Sequence, residues 1–231
     1  MNQALKKINV YLAGDSTVQT YEKSDASQAG WGQFISDYFT EDVCFHNHSM
    51  GGRSTKTFVQ EGRLDEILKQ IRPDDWLLIQ MGHNDANKQK PERYTEPYTG
   101  FQGYLKLYID GARKKGAHPV LITPVARLNY KSGEYSNDFP DYCKSMKLLG
   151  ETQKVPVIDL MGAALAHFKK VGYNAALKYF MVSVNGTDYT HFTEAGAKKI
   201  AELLADDIQA KSILLSRYVK HLKDKENPNK R

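Results

Sequence analysis

Ser16, Asp188 and His191 supply a hydroxyl, a carboxylate and an imidazole, the three groups that acyl transfer through a serine requires. A serine hydroxyl is a weak nucleophile until a base takes its proton, and an imidazole does this better when a carboxylate orients it. The spacing of three from Asp188 to His191 lets one loop carry both side chains, with the carboxylate in reach of the far ring nitrogen. The chemistry also needs donors for the oxyanion, and losing one typically costs ~10²–10³ in rate. Candidates are the backbone N–H of Ser16, the backbone N–H of Gly52 and the side-chain amide of Asn84. Glycine lets the backbone approach a ligand closely, and an amide donates without titrating. Asp15, next to the candidate nucleophile, is read as structural.

Taken singly, each feature has a commoner and duller role. Ser16 alone is a turn or N-cap serine. Gly51-Gly52 is a tight turn, Asn84-Asp85 an Asx-turn or helix start, and Asp188 with His191 a surface pair. Their joint occurrence in this order, at the ends of strand-like runs, favours a site. A nucleophile elbow of the Gly-x-Ser-x-Gly type occurs nowhere in the chain, which sets that hydrolase fold aside. A metallophosphoesterase would draw on Asp15, His46 and His48, with Gly82-His83-Asn84-Asp85 as ligand loop, but three converging ligands cannot be assembled from them. No metal is therefore expected. A non-catalytic carbohydrate-binding module would use the fourteen tyrosines, yet most fall on helical stripes and such a module has no use for Asp188 with His191.

The elements that must position these residues follow from hydrophobic periodicity. Short apolar runs at Ile8–Ala13, Val43–His48, Trp76–Met81, Ala117–Thr123 and Val155–Ile158 read as strands covered on both faces. Between them the period turns helical. Leu64, Ile67, Leu68 and Ile71 form one stripe, and Tyr98, Phe101, Leu105, Tyr108 and Ala112 form another that stops near Gly116. Phe139, Tyr142, Met146 and Leu149 form a third, and Ala197, Ile200, Leu204 and Ile208 a fourth behind an N-cap at Thr193. This alternation predicts an α/β fold, a parallel sheet with helices on both faces in a doubly wound arrangement. Ligands of such sheets bind beyond the carboxyl ends of the strands. Ser16, Gly52 and Asn84 all follow strands at that edge.

Composition bounds the remaining choices. The 231 residues are 41% hydrophobic and 11% aromatic, enough to exclude low-complexity disorder and to build a core without staples. No repeat or linker interrupts them, so one domain is expected over 1–220. No apolar run approaches the ~18 residues of a membrane span, and the start Met1 to Lys7 does not read as an export signal. Cys44 and Cys143 stand apart, as reduced and buried side chains would in a cytoplasmic protein. Much of the net charge of +5 sits at the tail, in Lys220 to Arg231, and the stretch 221–231 is read as frayed rather than as a nucleic-acid contact. A monomer is expected, with an edge strand or apolar helix face as the route to a dimer.

Gly14-Asp15-Ser16-Thr17-Val18, Gly52-Arg53-Ser54 with Glu61-Gly62-Arg63, Gly82-His83-Asn84-Asp85 and Thr187 through Phe192 together resemble the four blocks of the SGNH, or GDSL-like, hydrolases. Within that superfamily the chain is most similar to rhamnogalacturonan acetylesterases, over Val10 to about Ala210. The resemblance implies a three-layer α/β/α sandwich of flavodoxin-like type, with no cofactor. It implies Ser16 as nucleophile, Asp188 as orienter, His191 as base, and Ser16, Gly52 and Asn84 as the oxyanion hole. The implied substrate is an acetylated pectin oligosaccharide. Polar loops at Tyr94–Thr99 and Asn129–Asp138 suit a short acyl group better than a lipid chain. The missing export signal and unpaired cysteines suit imported fragments. Arg53, Lys56, Arg63 and Arg127 lie near the expected active edge and are able to meet uronate carboxylates. For each a solvated or structural charge is the better reading. Arg53, directly beside Gly52, is the exception, expected to position that loop or the substrate.

Overall fold

In the computed structural model, which describes residues 5–22 and 27–220, five parallel strands form the central sheet. The basic stretch 221–231 lies outside the described residues. The strands are β1 (Ile8–Gly14), β2 (Val43–Asn47), β3 (Trp76–Gln80), β4 (His118–Ile122) and β5 (Val157–Ile158). They run in the order β2-β1-β3-β4-β5, with Val10 opposite Phe45 on one side and Trp76 on the other. All of β1 except Asn9 is buried, as is all of β3. This explains why both read as continuous apolar runs rather than alternating ones. The chain leaves β1 towards β2 and returns to the far side of β1 as β3. That reversal opens a crevice at the carboxyl ends of β1 and β3, where ligands of such folds bind.

Helices cover both faces. One group comprises α1 (Thr55–Gln60), α2 (Arg63–Gln70), α3 (Gln102–Lys114) and α4 (Pro140–Gln153). The other is built around α5 (Leu160–Val171) and the last long helix, α8 (Glu194–Ala210), with the short helices α6 (Tyr173–Leu177) and α7 (Val182–Asn185) between them. The buried apolar side chains form one contiguous cluster. In α8, Ala197, Ile200, Ala201, Leu204, Ala205 and Ile208 are fully inside, and the Thr193 hydroxyl caps the helix by accepting from Gly196 N–H at 3.2 Å. Burial of each large member contributes about 1.5–3 kcal/mol.

Three expectations are corrected. Tyr98 is not on the buried stripe of α3 but 40% exposed, its hydroxyl donating to Asp141. Residues Pro97–Phe101 form a π-turn in which Phe101 N–H reaches back five residues to Glu96. The extra residue rotates Tyr98 off the stripe that Phe101, Leu105 and Tyr108 keep. Strand β5 starts at Val157 rather than Val155, because Val155 N–H is taken by the Gly150 carbonyl at the end of α4. Cys143 is buried, but Cys44 is exposed, since β2 is an edge strand.

Two glycines separate helix propensity from packing. Gly103 in α3 has open space where a Cβ would sit, so Gly103→Ala is expected to stabilise the protein by about 0.5–1 kcal/mol. A Cβ on Gly196 would lie 2.0 Å from the Tyr179 carbonyl oxygen, so Gly196→Ala is expected to destabilise by about 1–3 kcal/mol despite its helical site. Urea unfolding of both variants checks the opposite signs.

Candidate active site

The turn after β1 is built to lift one side chain. Val18 N–H and Gln19 N–H both donate to the Asp15 carbonyl, at 3.1 and 3.0 Å, folding the chain sharply. A side chain on Gly14 would collide with Val18, its Cβ falling 2.5 Å from Val18 Cγ2. Asp15 and Thr17 point inward and are buried, while Ser16 between them is only partly covered. The Tyr21 hydroxyl donates to the Ser16 carbonyl at 2.8 Å and anchors the turn from outside.

Beneath the turn lies a buried polar chain. The Asp15 carboxylate accepts from Thr17 N–H at 2.9 Å and from the Thr17 hydroxyl at 2.8 Å, and its other oxygen is 3.1 Å from His83 Nδ1. His83 Nε2 faces the Val125 carbonyl at 3.0 Å, just past β4. Gln80, the last residue of β3, donates to the Thr17 hydroxyl and accepts from the Trp31 indole, both at 2.7 Å. Burial works to raise the Asp15 pKa, yet the charge and hydrogen bond of His83, with the Thr17 contacts, hold it below the usual carboxylate value. Asp15 is thus structural. The roles of His83, Gln80 and Trp31 carry no signal in the sequence, because they depend on which strand ends meet.

The segment before α8 brings Asp188 and His191 to the same place. Asp188 Oδ1 accepts from the backbone N–H of Thr190 at 2.9 Å and of His191 at 3.0 Å, and Oδ2 lies 2.7 Å from His191 Nδ1. His191 Nε2 is 2.9 Å from Ser16 Oγ. With Nδ1–H directed at the carboxylate, Nε2 is left with its lone pair towards the serine O–H, the tautomer a general base needs. Partial burial raises the Asp188 pKa, but the two backbone donors and the imidazole outweigh it, so the group sits below the ordinary carboxylate range and stays ionised. The loop is itself pinned. Val182 N–H donates to the Asp188 carbonyl and Met181 N–H to the His191 carbonyl, at 2.7 and 2.8 Å. Gln28–Ala29 also pairs antiparallel with Phe192–Thr193.

The loop after β2 presses against the Ser16 turn. Gly51 N–H donates to Gln19 Oε1, and a Cβ on Gly51 would come 3.4 Å from Ser16 Cβ. Gly52 has φ +77°, a left-handed backbone that glycine adopts without strain. Asn84, after β3, spends one amide hydrogen on the Arg53 carbonyl at 3.0 Å, which ties it to this loop and leaves its second hydrogen. Among the described residues, neither Ser16 N–H nor Gly52 N–H has a protein acceptor. Arg53 donates to Gly51 O at 2.8 Å and to Glu61 at 2.9 Å, so its side chain braces the loop. Arg93, not anticipated from the sequence, packs against the bare face of Gly52. Asp85 faces inward instead, accepting from the N–H and hydroxyl of Thr55 at the start of α1 and from the Thr95 hydroxyl. Among the described residues no three His, Cys, Asp or Glu side chains are grouped as metal ligands. His46 and His48 pack instead against Tyr11.

A cleft of about 780 Å³ opens beside His191, bordered by Arg127, Tyr130, Lys131, Asp138 and Tyr173. The arrangement can transfer a proton from Ser16 Oγ to His191 while the serine attacks a carbonyl held at the mouth of this cleft.

Residues 10–204 match the family of GDSL-like lipases/acylhydrolases. The chain is 54% identical over 211 residues to "Probable rhamnogalacturonan acetylesterase YesY" of Bacillus subtilis, covering 91% of this chain and 97% of that protein. It is 40% identical to "Rhamnogalacturonan acetylesterase RhgT" of the same organism, covering 96% and 98%. Among solved structures, Bacillus subtilis protein YxiM superposes with a TM-score of 0.81 at 30% identity, covering 92% of this chain and 59% of that one. The acetylxylan esterase Axe2 of Geobacillus stearothermophilus superposes with a TM-score of 0.63 at 15% identity over 88% and 94%, a likeness of fold alone.

Ser16→Ala is expected to remove hydrolysis of p-nitrophenyl acetate, and Asn84→Ala to lower kcat by ~10²–10³ with the fold intact by circular dichroism. Asp85 predicts a pH effect on stability. Burial raises its pKa from 3.8 to about 6 in the folded protein. Its contribution is therefore fully present below the unfolded value and is lost as pH rises through about 6. The stability of wild type relative to Asp85→Asn should fall over that window, by roughly 3 kcal/mol at most. Urea melts at several pH values measure it.

Proposed function

Because the chain belongs to the family of GDSL-like lipases/acylhydrolases, we propose that it is a serine esterase that removes acetyl groups from acetylated rhamnogalacturonan. The observation that carries this reading is the unbroken run Asp188–His191–Ser16, with contacts of 2.7 and 2.9 Å. The substrate follows from relatives whose names carry the activity, at 54% and 40% identity over nearly the whole chain.

In this reading His191 takes the Ser16 proton as Oγ attacks the acetyl carbonyl. The oxyanion is received by Ser16 N–H, Gly52 N–H and the free amide hydrogen of Asn84. Asp188 stabilises the imidazolium that forms. Collapse breaks the ester bond, and His191 returns the proton to the departing sugar oxygen, leaving an acetyl-enzyme. Water, deprotonated by His191, attacks this intermediate, and its collapse frees acetate and restores Ser16. Arg53 serves the reaction by bracing the Gly51–Gly52 loop. A short acyl group fits the polar and charged residues that border the cleft. No helix among the described residues is long and apolar enough to cross a membrane. The exposed free thiol of Cys44 suits a reducing compartment, where the substrate would be an oligosaccharide fragment.

Acetate release from acetylated rhamnogalacturonan fragments, measured beside p-nitrophenyl acetate and octanoate, tests the reading. Wild type is expected to release acetate from the fragments and to cleave the acetyl ester faster than the octanoyl ester. Preference for the octanoyl ester, or no release from the fragments, overturns the proposed substrate.

A further inference from the structure

Four cations stand near the active edge in the sequence, and the fold disposes of three. Arg53 and Arg63 both bind Glu61, at 2.9 and 2.8 Å, and Lys56 donates to the Pro91 carbonyl at 3.3 Å. Arg127 is different. Among the described residues it makes no hydrogen bond and no ion pair, and its Nε is buried without a partner. Its guanidinium is held in place by the Phe139 ring, 4.9 Å from centroid to Cζ. A buried N–H without an acceptor costs stability, and the rest of this partly exposed guanidinium is uncommitted to any protein acceptor.

Its position ties it to the chemistry. Leu128 N–H, one residue on, donates to the Tyr189 carbonyl at 2.9 Å and so fastens this segment to the loop carrying Asp188 and His191. Arg127 and His191 border the same cleft. Across it, Tyr130 and Tyr173 stack at 4.8 Å and 26°, with Tyr130 37% exposed, a platform able to take the face of a sugar ring. Lys131, in no ion pair among the described residues, adds a second positive charge to the border. The acid of the cleft outside the triad, Asp138, accepts from Asn129 at 2.9 Å through one oxygen, while the other is buried without a partner and suited to a hydroxyl.

We infer that Arg127 is the specificity-determining residue of this cleft, binding the carboxylate of a sugar acid in the chain that bears the scissile acetyl ester. The inference rests on the esterase reading and deepens it. The planar guanidinium fork meets a carboxylate through two parallel hydrogen bonds, which neither Lys131 nor a neutral side chain can offer. Arg53, the cation closest in sequence to the oxyanion loop, is already committed and so cannot take that role.

The test is inhibition of p-nitrophenyl acetate hydrolysis by deacetylated rhamnogalacturonan oligosaccharides, beside the same fragments with their carboxyl groups reduced to alcohols. The acidic fragment is expected to inhibit wild type about tenfold better than the reduced one, the worth of one charge-assisted contact. Arg127→Gln should erase that ratio, Arg127→Lys should restore part of it, and Arg53→Gln should keep it while lowering turnover of all esters alike. Unfolding curves confirm that each variant is folded. Equal inhibition of wild type by both fragments, or a ratio preserved in Arg127→Gln, overturns the inference. So does loss of the ratio in Arg93→Gln instead, which would move the contact to the Gly52 side. Acetate release from acetylated fragments, run in parallel, reports separately on the esterase reading. Release without charge discrimination overturns the inference alone, whereas no release and no inhibition by either fragment overturns both.

Discussion

A carboxylate buried beneath the Ser16 turn sets the terms for everything around it. Asp15 is fully inside the protein, and a buried charge is tolerated only when hydrogen bonds and an opposite charge surround it. Meeting that demand draws Thr17, His83 and, through Thr17, Gln80 and Trp31 into one network. Through the Val125 carbonyl it also reaches the loop beyond β4. The carboxyl ends of three adjacent strands are thereby locked in one relative position. Ser16 is raised above this network, and the loop that carries Arg127 leaves from its far end.

A second set of contacts holds Asp188 and His191 in register with that platform. Asp188 and His191 come from a loop 172 and more residues away, so their reach to Ser16 depends on how the loop is fastened. Backbone bonds from Met181 and Val182 hold it from one side, and the pairing of Gln28–Ala29 with Phe192–Thr193 holds it from the other. Electrostatics then separates the carboxylates. Donors converge on Asp188 and keep it ionised, whereas burial raises the pKa of Asp85 to about 6 in a pocket of threonines. One faces the imidazole, while the other holds the start of α1 beneath the Gly51–Gly52 loop.

Much of the frame was legible because hydrophobic periodicity is a local property. The strand runs beginning at Ile8, Val43, Trp76 and Ala117 match observed strands to within about a residue, and the stripe from Ala197 to Ile208 falls inside α8. The departures have non-local causes. Tyr98 leaves its stripe because Phe101 closes a wider turn, Val155 leaves its strand because α4 takes its N–H, and Cys44 is exposed because β2 has no neighbour on one side. None of these can be read from spacing alone.

The sequence by itself determined the α/β alternation, the strand-end placement of Ser16, Gly52 and Asn84, and the pairing of Asp188 with His191 across three residues. Each follows from short-range pattern and side-chain chemistry. Tertiary structure alone decided which groups those residues meet. It placed His191 Nε2 2.9 Å from Ser16 Oγ, tied Asn84 to the Arg53 carbonyl and put His83 beneath the Ser16 turn. It also divided the cations, committing Arg53 to Glu61 while leaving Arg127, stacked on Phe139, with no hydrogen bond or ion pair among the described residues. The reason is that a charge's role is set by its neighbours in space, and those come from strand order and loop closure rather than from its neighbours along the chain.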